Sequence, residues 1–219
     1  MSQIFHPSAN TISRLSLFGS VFFAGAVLYI GYVLVRSPYQ TGVKITKDQP
    51  IQFSHAHHVA QLGIDCRYCH TNVEKQANPG MPPTETCMSC HSQIWTQSPL
   101  LAPVRESWRE NKPIQWAMLH DLPDFVYFHH GVHVQKGVSC VTCHGNVDEM
   151  PLAYKAQPMT MEWCLECHRN PEPRMGPKDQ VFASSSAIAA QLPKVSSAPK
   201  RTNLDAHFNG MTNCSTCHR

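Results

Sequence analysis

The sequence has little from which to build an ordinary hydrophobic core. Apolar residues make up 42% of its 219 positions, and a good share of them sits in one N-terminal run. The remainder holds nearly all of the 17 prolines, together with ten cysteines and 14 histidines, so something other than Leu and Val must fill the interior. No convincing alternation of apolar and polar residues marks a strand. Charge of one sign is also lacking, with 18 Lys and Arg against 15 Asp and Glu and a formal net charge of +3. That balance implies no nucleic-acid surface. The last absence is the most informative: no cysteine falls outside a pattern.

All ten cysteines lie in five Cys-X-X-Cys-His motifs. Cys66, Cys69 and His70 form the first, Cys87, Cys90 and His91 the second, and Cys140, Cys143 and His144 the third. Cys164, Cys167 and His168 form the fourth, and Cys214, Cys217 and His218 the fifth. A secreted disulfide framework would not place His after every pair. Zinc ribbons need thiols in fours, and ten do not divide that way. The spacing suits covalent haem: two thiols three positions apart add across the two vinyl groups of one porphyrin, and the adjacent His reaches the iron as proximal ligand. Five haem c groups are expected. Their ten propionates make the +3 a poor guide to partners.

Residues 15–35, LSLFGSVFFAGAVLYIGYVLV, carry no charge and lie between Arg14 and Arg36. At a rise of about 1.5 Å per residue they cover the roughly 30 Å hydrocarbon layer. Ala24-Gly25-Ala26 resembles a signal-peptidase site, but the apolar run continues to Val35, so an uncleaved single-pass anchor is expected. Arg36, Lys44 and Lys47 follow the segment and would by charge alone lie in the cytoplasm. The bias is small, and haem attachment takes place on the export side of bacterial membranes, so residues 37–219 are placed outside.

An internal repeat is evident. Phe53-Ser-His55-Ala-His-His58 precedes the first motif and Phe128-His-His130-Gly-Val-His133 the third. Asn72-Val73-Glu74 follows His70 as Asn146-Val147-Asp148 follows His144, and Glu85 and Glu162 each stand two residues before the next motif. Residues 53–91 and 128–168 read as two copies of one two-haem unit. A low-spin iron dedicated to electron transfer needs a second axial ligand. His55 with His58, and His130 with His133, are three apart and would share a helical face, where two imidazoles reach two different irons. His6, His57 and His129 fall off the repeat positions and read as surface or hydrogen-bonding residues. For the fifth distal ligand the order of preference is His120, Met161, which replaces Thr84 of the first copy, and then His207.

The expected fold is mainly α with extensive irregular loops: one transmembrane helix and a haem-packed domain. Pro79, Pro82, Pro83, Pro99, Pro103, Pro113 and Pro123 break the connections, each costing about 3 kcal/mol inside a helix. The expected organisation is a tail over 1–14, an anchor over 15–35 and a linker over 36–52. A first two-haem unit with its connector covers 53–127 and a second covers 128–170. Residues 171–219 form an extended arm with the fifth site, and 171–203 has too little apolar content to fold alone and is expected to wrap a partner.

With FSHAHH, CRYCH, FHHGVH and CVTCHG in view, the chain resembles the class III multihaem cytochromes c, whose Phe-X-His-X-X-His elements supply distal ligands to two haems. The strings PPTETCMSCHSQIW, HDLPDFVYF and TMEWCLECHRNPEP, with the N-terminal anchor, narrow the resemblance to the pentahaem subunit of alternative complex III, a bacterial quinol:acceptor oxidoreductase. That resemblance implies a bacterial inner-membrane complex. Its other members are an iron-sulfur, molybdopterin-enzyme-like subunit, multi-helix membrane subunits that bind quinol, and a monohaem cytochrome c. This chain is then an electron relay and quinol is oxidised elsewhere. Two rivals are a multihaem reductase with an open iron and a stand-alone quinol dehydrogenase. The first is disfavoured because candidate distal ligands outnumber irons, the second because residues 15–35 lack any buried ionisable group to take the protons.

Overall fold

A computed structural model describes residues 4–191 and 210–218, with side chains at positions 189–191 left undescribed. The chain divides into two compact units, Met1–Gly42 and Val43–Arg219. The first unit holds helix α1 (Ala9–Arg36) and the single turn α2 (Pro38–Thr41). α1 is 28 residues long, contains a window of mean hydropathy 2.0, and buries none of it. Length and composition suffice to cross a membrane, and the lack of burial separates it from a soluble core helix. Ser37 ends it: its extended backbone leads into Pro38, which cannot donate to the helix ladder.

The second unit is helical and irregular, with no strand among the described residues. Its elements are a π-helical turn π1 (Ala56–Gln61), α3 (Cys66–Cys69), α4 (Thr84–His91), α5 (Ala102–Glu110) and α6 (His130–Gln135). Then come α7 (Cys140–His144), α8 (Met161–Arg169), α9 (Ser185–Gln191) and α10 (Cys214–Cys217). Isolated bridges pair Val43 with Lys155, Thr46 with Tyr154 and Val138 with Met175. Local signals set the helix ends. Asp65 caps α3 by accepting from Arg67 N, Thr160 caps α8 by accepting from Trp163 N, and Asn111 closes α5 in the left-handed region.

Only six apolar residues are buried among those described: Ile51, Val73, Val104, Met150, Val181 and Ile188. Six such side chains are few for a domain of this length. The buried Thr84 and Ser107 hydroxyls join α4 to α5. The two copies of the repeat grip each other reciprocally. Ala56, next after His55, donates its N–H to Met150 O at 3.0 Å, and Gly131, next after His130, donates to Gln76 O at 3.1 Å. Met150 and Gln76 both stand six residues after a motif histidine, so the contact is related by the repeat itself.

Three local features add detail to the expected organisation. The linker over 36–52 is fastened over its second half: Gln49 exchanges two hydrogen bonds with Ala117, Lys47 Nζ donates to Met118 O, and Lys44 N donates to Lys155 O. The arm is not free over 171–191. Val181 is 1% exposed, its carbonyl accepts from Ser139 Oγ and Cys140 N, and Asp148 holds Ser185 through its N–H and hydroxyl. Two buried apolar side chains and one buried carboxylate anchor a segment whose composition looked too polar to pack. The first copy's His55–His58 element enters a π-helical turn, whereas His130–His133 starts an α-helix.

Candidate haem sites

Each Cys-X-X-Cys segment lies in a helical turn, so its two thiols share a face. The closing bonds are explicit in the first and fifth motifs, where His70 N donates to Cys66 O at 2.9 Å and His218 N to Cys214 O at 2.8 Å. None of the ten cysteines forms a disulfide. Among the described residues no three His, Cys, Asp or Glu side chains converge on a single ion position.

The histidines fall into two groups by environment. His55, His58, His70, His91, His120, His130, His133, His144, His168 and His218 are half-buried, while His6, His57 and His129 are exposed. Seven of the half-buried rings have Nδ1 tied to a backbone carbonyl. His70 donates to Gly80 O, His91 to Ile94 O, His168 to Met211 O and His218 to Phe125 O, at 2.8–3.2 Å. His58 donates to Ser54 O, His130 to Ala77 O and His133 to His129 O, at 2.7–2.9 Å. A carbonyl only accepts, so Nδ1 donates, and Nε2 is the nitrogen left for a metal. The exposed rings behave otherwise: His129 Nδ1 accepts from Val132 N as a helix cap, and His57 Nδ1 bonds the Gln61 side chain.

Spacing makes the fit to haem sharper. Two imidazoles on opposite sides of one iron hold their centroids about 6 Å apart, given metal–nitrogen bonds near 2 Å. His58 and His91 stand at 6.3 Å, His133 and His168 at 6.2 Å, and His130 and His144 at 6.3 Å with planes 10° apart. The first two pairs are equivalent in the repeat. Phe53 stacks on His58 at 4.4 Å and meets His55 edge-on at 4.9 Å, while Phe128 does the same to His133 and His130 at 4.5 and 4.7 Å.

The remaining candidates are placed differently. His120 meets the His144 ring at 4.5 Å and 80°, too close for an iron between them, and its buried Nε2 has no hydrogen-bond partner. His55 Nδ1 is likewise buried without a partner. Met161 is 63% exposed at the start of α8. His207 lies outside the described residues. Burial, and then neighbouring imidazoles, push His144 down to about 3 and His55 down to about 4; burial, then Lys155 and His130, push His120 down to about 4. These rings are neutral at pH 7, as metal ligation requires. Orphaned nitrogens, neutral imidazoles and paired rings all fit a haem-binding donor set.

The carbonyls that orient the rings were not foreseen from the sequence. Gly80, Ile94, Phe125, Ala77 and Met211 contribute only backbone oxygen, for which no side-chain signal exists.

Comparison with known proteins agrees with this geometry. Residues 132–219 match the cytochrome c3 family and residues 51–102 match cytochrome c7 and related cytochromes c. The chain belongs to the multihaem cytochromes c of the c3/c7 type, which carry covalently attached c-type haem and transfer electrons. A relative is the menaquinone reductase multihaem cytochrome c subunit of Nitratidesulfovibrio vulgaris (strain Hildenborough). It is 33% identical over 145 residues, spanning 57% of this chain and 69% of the relative.

Proposed function

We propose that this chain relays electrons through five c-type haems as a single-pass subunit of a membrane quinone or quinol oxidoreductase complex, with its haem domain on the periplasmic side. The observation that carries this reading is the repeat-equivalent spacing of His58–His91 and His133–His168, 6.3 and 6.2 Å with every Nδ1 tied to a carbonyl. Bound haem supplies a one-electron carrier. The chain's residues do the rest.

In this reading His70, His91, His144, His168 and His218 are the proximal ligands, and the ten motif cysteines hold the porphyrins. His58 faces His91, His133 faces His168 and His130 faces His144. His55, with its unpaired nitrogen, serves the first site. His120, Met161 and His207 are the donors left for the fifth. The carbonyl bonds fix tautomer and ring direction, raising ligand basicity. α1 anchors the chain, and the partners are those of an alternative-complex-III-like assembly: an iron-sulfur, molybdopterin-enzyme-like subunit, quinol-binding membrane subunits and a monohaem cytochrome c.

The test is gentle detergent extraction followed by a subunit inventory and a haem count per chain. Five haems and co-purifying quinone-binding subunits are expected, and a solitary chain or a count other than five overturns the reading. The relative's name favours a second direction of flow, toward menaquinone. Stopped-flow assays of the purified complex with a quinol analogue and with a quinone analogue decide between oxidation and reduction.

A further inference from the structure

The five motifs are linked in an order that differs from their order in sequence. Between the first and second, the Tyr68 hydroxyl meets Ser89 Oγ at 2.8 Å; both residues lie between the cysteines of their motifs. Between the first and third, Cys66 and Cys140 line one cavity of about 220 Å³. π1 donates from Ala56 to Met150 O, after the third motif, and α6 donates from Gly131 to Gln76 O, after the first. Between the third and fourth, Val138 bridges Met175, and the α6 helix that sets His130 beside His144 sets His133 beside His168. Between the fourth and fifth, His168 Nδ1 donates to Met211 O at 2.8 Å, three residues before Cys214. Among the described residues, no hydrogen bond or ring contact joins the second motif to the third, fourth or fifth.

Exposure gives the same two ends independently. Of the ten cysteines only Cys90 and Cys214 are exposed, and they belong to the second and fifth motifs. The other eight are half-buried.

We infer that the sites form an unbranched line in the order second, first, third, fourth, fifth, so that Cys87–His91 and Cys214–His218 are the two ports where redox partners exchange electrons and the other three sites are internal. This rests on the reading that each motif holds a haem. It adds a direction to the chain: an electron entering beside Cys90 crosses the paired first and third sites, at the interface of the two copies, before reaching the fourth.

The test uses the full-length, haem-loaded, oxidised protein in detergent. A soluble, membrane-impermeant lanthanide chelate is added, and the relaxation of each haem's paramagnetic resonance signal is measured. His91→Met and His218→Met each displace one signal and so assign it. The expected result is an enhancement several-fold larger for those two signals than for the other three. Because an axial variant can fail to load its haem, nuclear Overhauser contacts between haem substituents of the unaltered protein give a second readout. They should run from the spin system beside Tyr68 and Ser89 to the pair that bridges the copies, without a contact between second and third. A largest enhancement on a signal displaced by His70→Met, His144→Met or His168→Met, or a direct second-to-third contact, overturns the order. A haem count other than five overturns the underlying cofactor reading instead.

Discussion

Replacing Gly131 with alanine tests how tightly the two copies are locked. A Cβ there would stand 2.9 Å from Glu74 O, 3.0 Å from Lys75 C and 3.1 Å from Glu74 C. These are backbone atoms that cannot swing aside, and an ordinary carbon contact is about 3.5–4 Å. α6 would have to retreat by about half an ångström, stretching Gly131 N to Gln76 O and His130 Nδ1 to Ala77 O. Overpacking of this kind costs about 1–3 kcal/mol. For a chain of this size each kcal/mol lowers the melting temperature by about 2–4 °C, so a fall of about 2–12 °C is expected. The same retreat carries His130 and His133 beyond the roughly 0.2 Å tolerance of a metal–nitrogen bond. Thermal unfolding and optical spectra of the haem-loaded chain should therefore show lower stability and a partial shift from low to high spin. Ala56 occupies the matching place in the first copy, so Ala56→Gly is the control and should cost no more than about 1 kcal/mol. A Gly131→Ala protein with unchanged melting and spectrum would refute the close approach.

Two further outcomes are expected. His133→Ala removes the ring facing His168 at 6.2 Å, so the reduced protein should bind one more carbon monoxide per chain than the parent, whereas His129→Ala should bind no more; equal binding in both would sink the ligand assignment. Asp148→Ala strips Ser185 of the bonds at 2.9 and 3.1 Å and should cost about 1–3 kcal/mol. Limited proteolysis should then cut α9 faster, while Ser185→Ala, which keeps the N–H bond, should lose less.

Legibility in the sequence followed how much chemistry a residue type carries. Cys-X-X-Cys-His admits few uses, so the motifs and the helical turn beneath each could be read directly. The mainly helical class followed from the absence of strand alternation. How residues 171–191 attach to the domain was not legible, because mean apolar content does not show where two residues land: Val181 and Ile188 fill buried positions, and Asp148 supplies a buried partner from 37 residues away. His120 shows the opposite limit. Its burial and unpaired Nε2 mark it as unusual, but its contact with His144 at 4.5 Å depends on how separate segments meet.

The two Phe-X-His-X-X-His elements show what their spacing encodes. Three-residue separation would place both rings on one α-helical face, and only the second copy has that helix; the first runs into a π-helical turn. The ring geometry is nevertheless the same. Phe53 holds its histidines at 4.9 and 4.4 Å and Phe128 holds its own at 4.7 and 4.5 Å, in both cases one edge-on and one stacked. Their facing partners also agree, at 6.3 and 6.2 Å. The helix type can vary between copies because the phenyl ring fixes the angle between the imidazoles. Phe53→Leu and Phe128→Leu should then loosen ligation at the second and fourth sites with little change in helix content, since Leu fills part of the volume without the flat face.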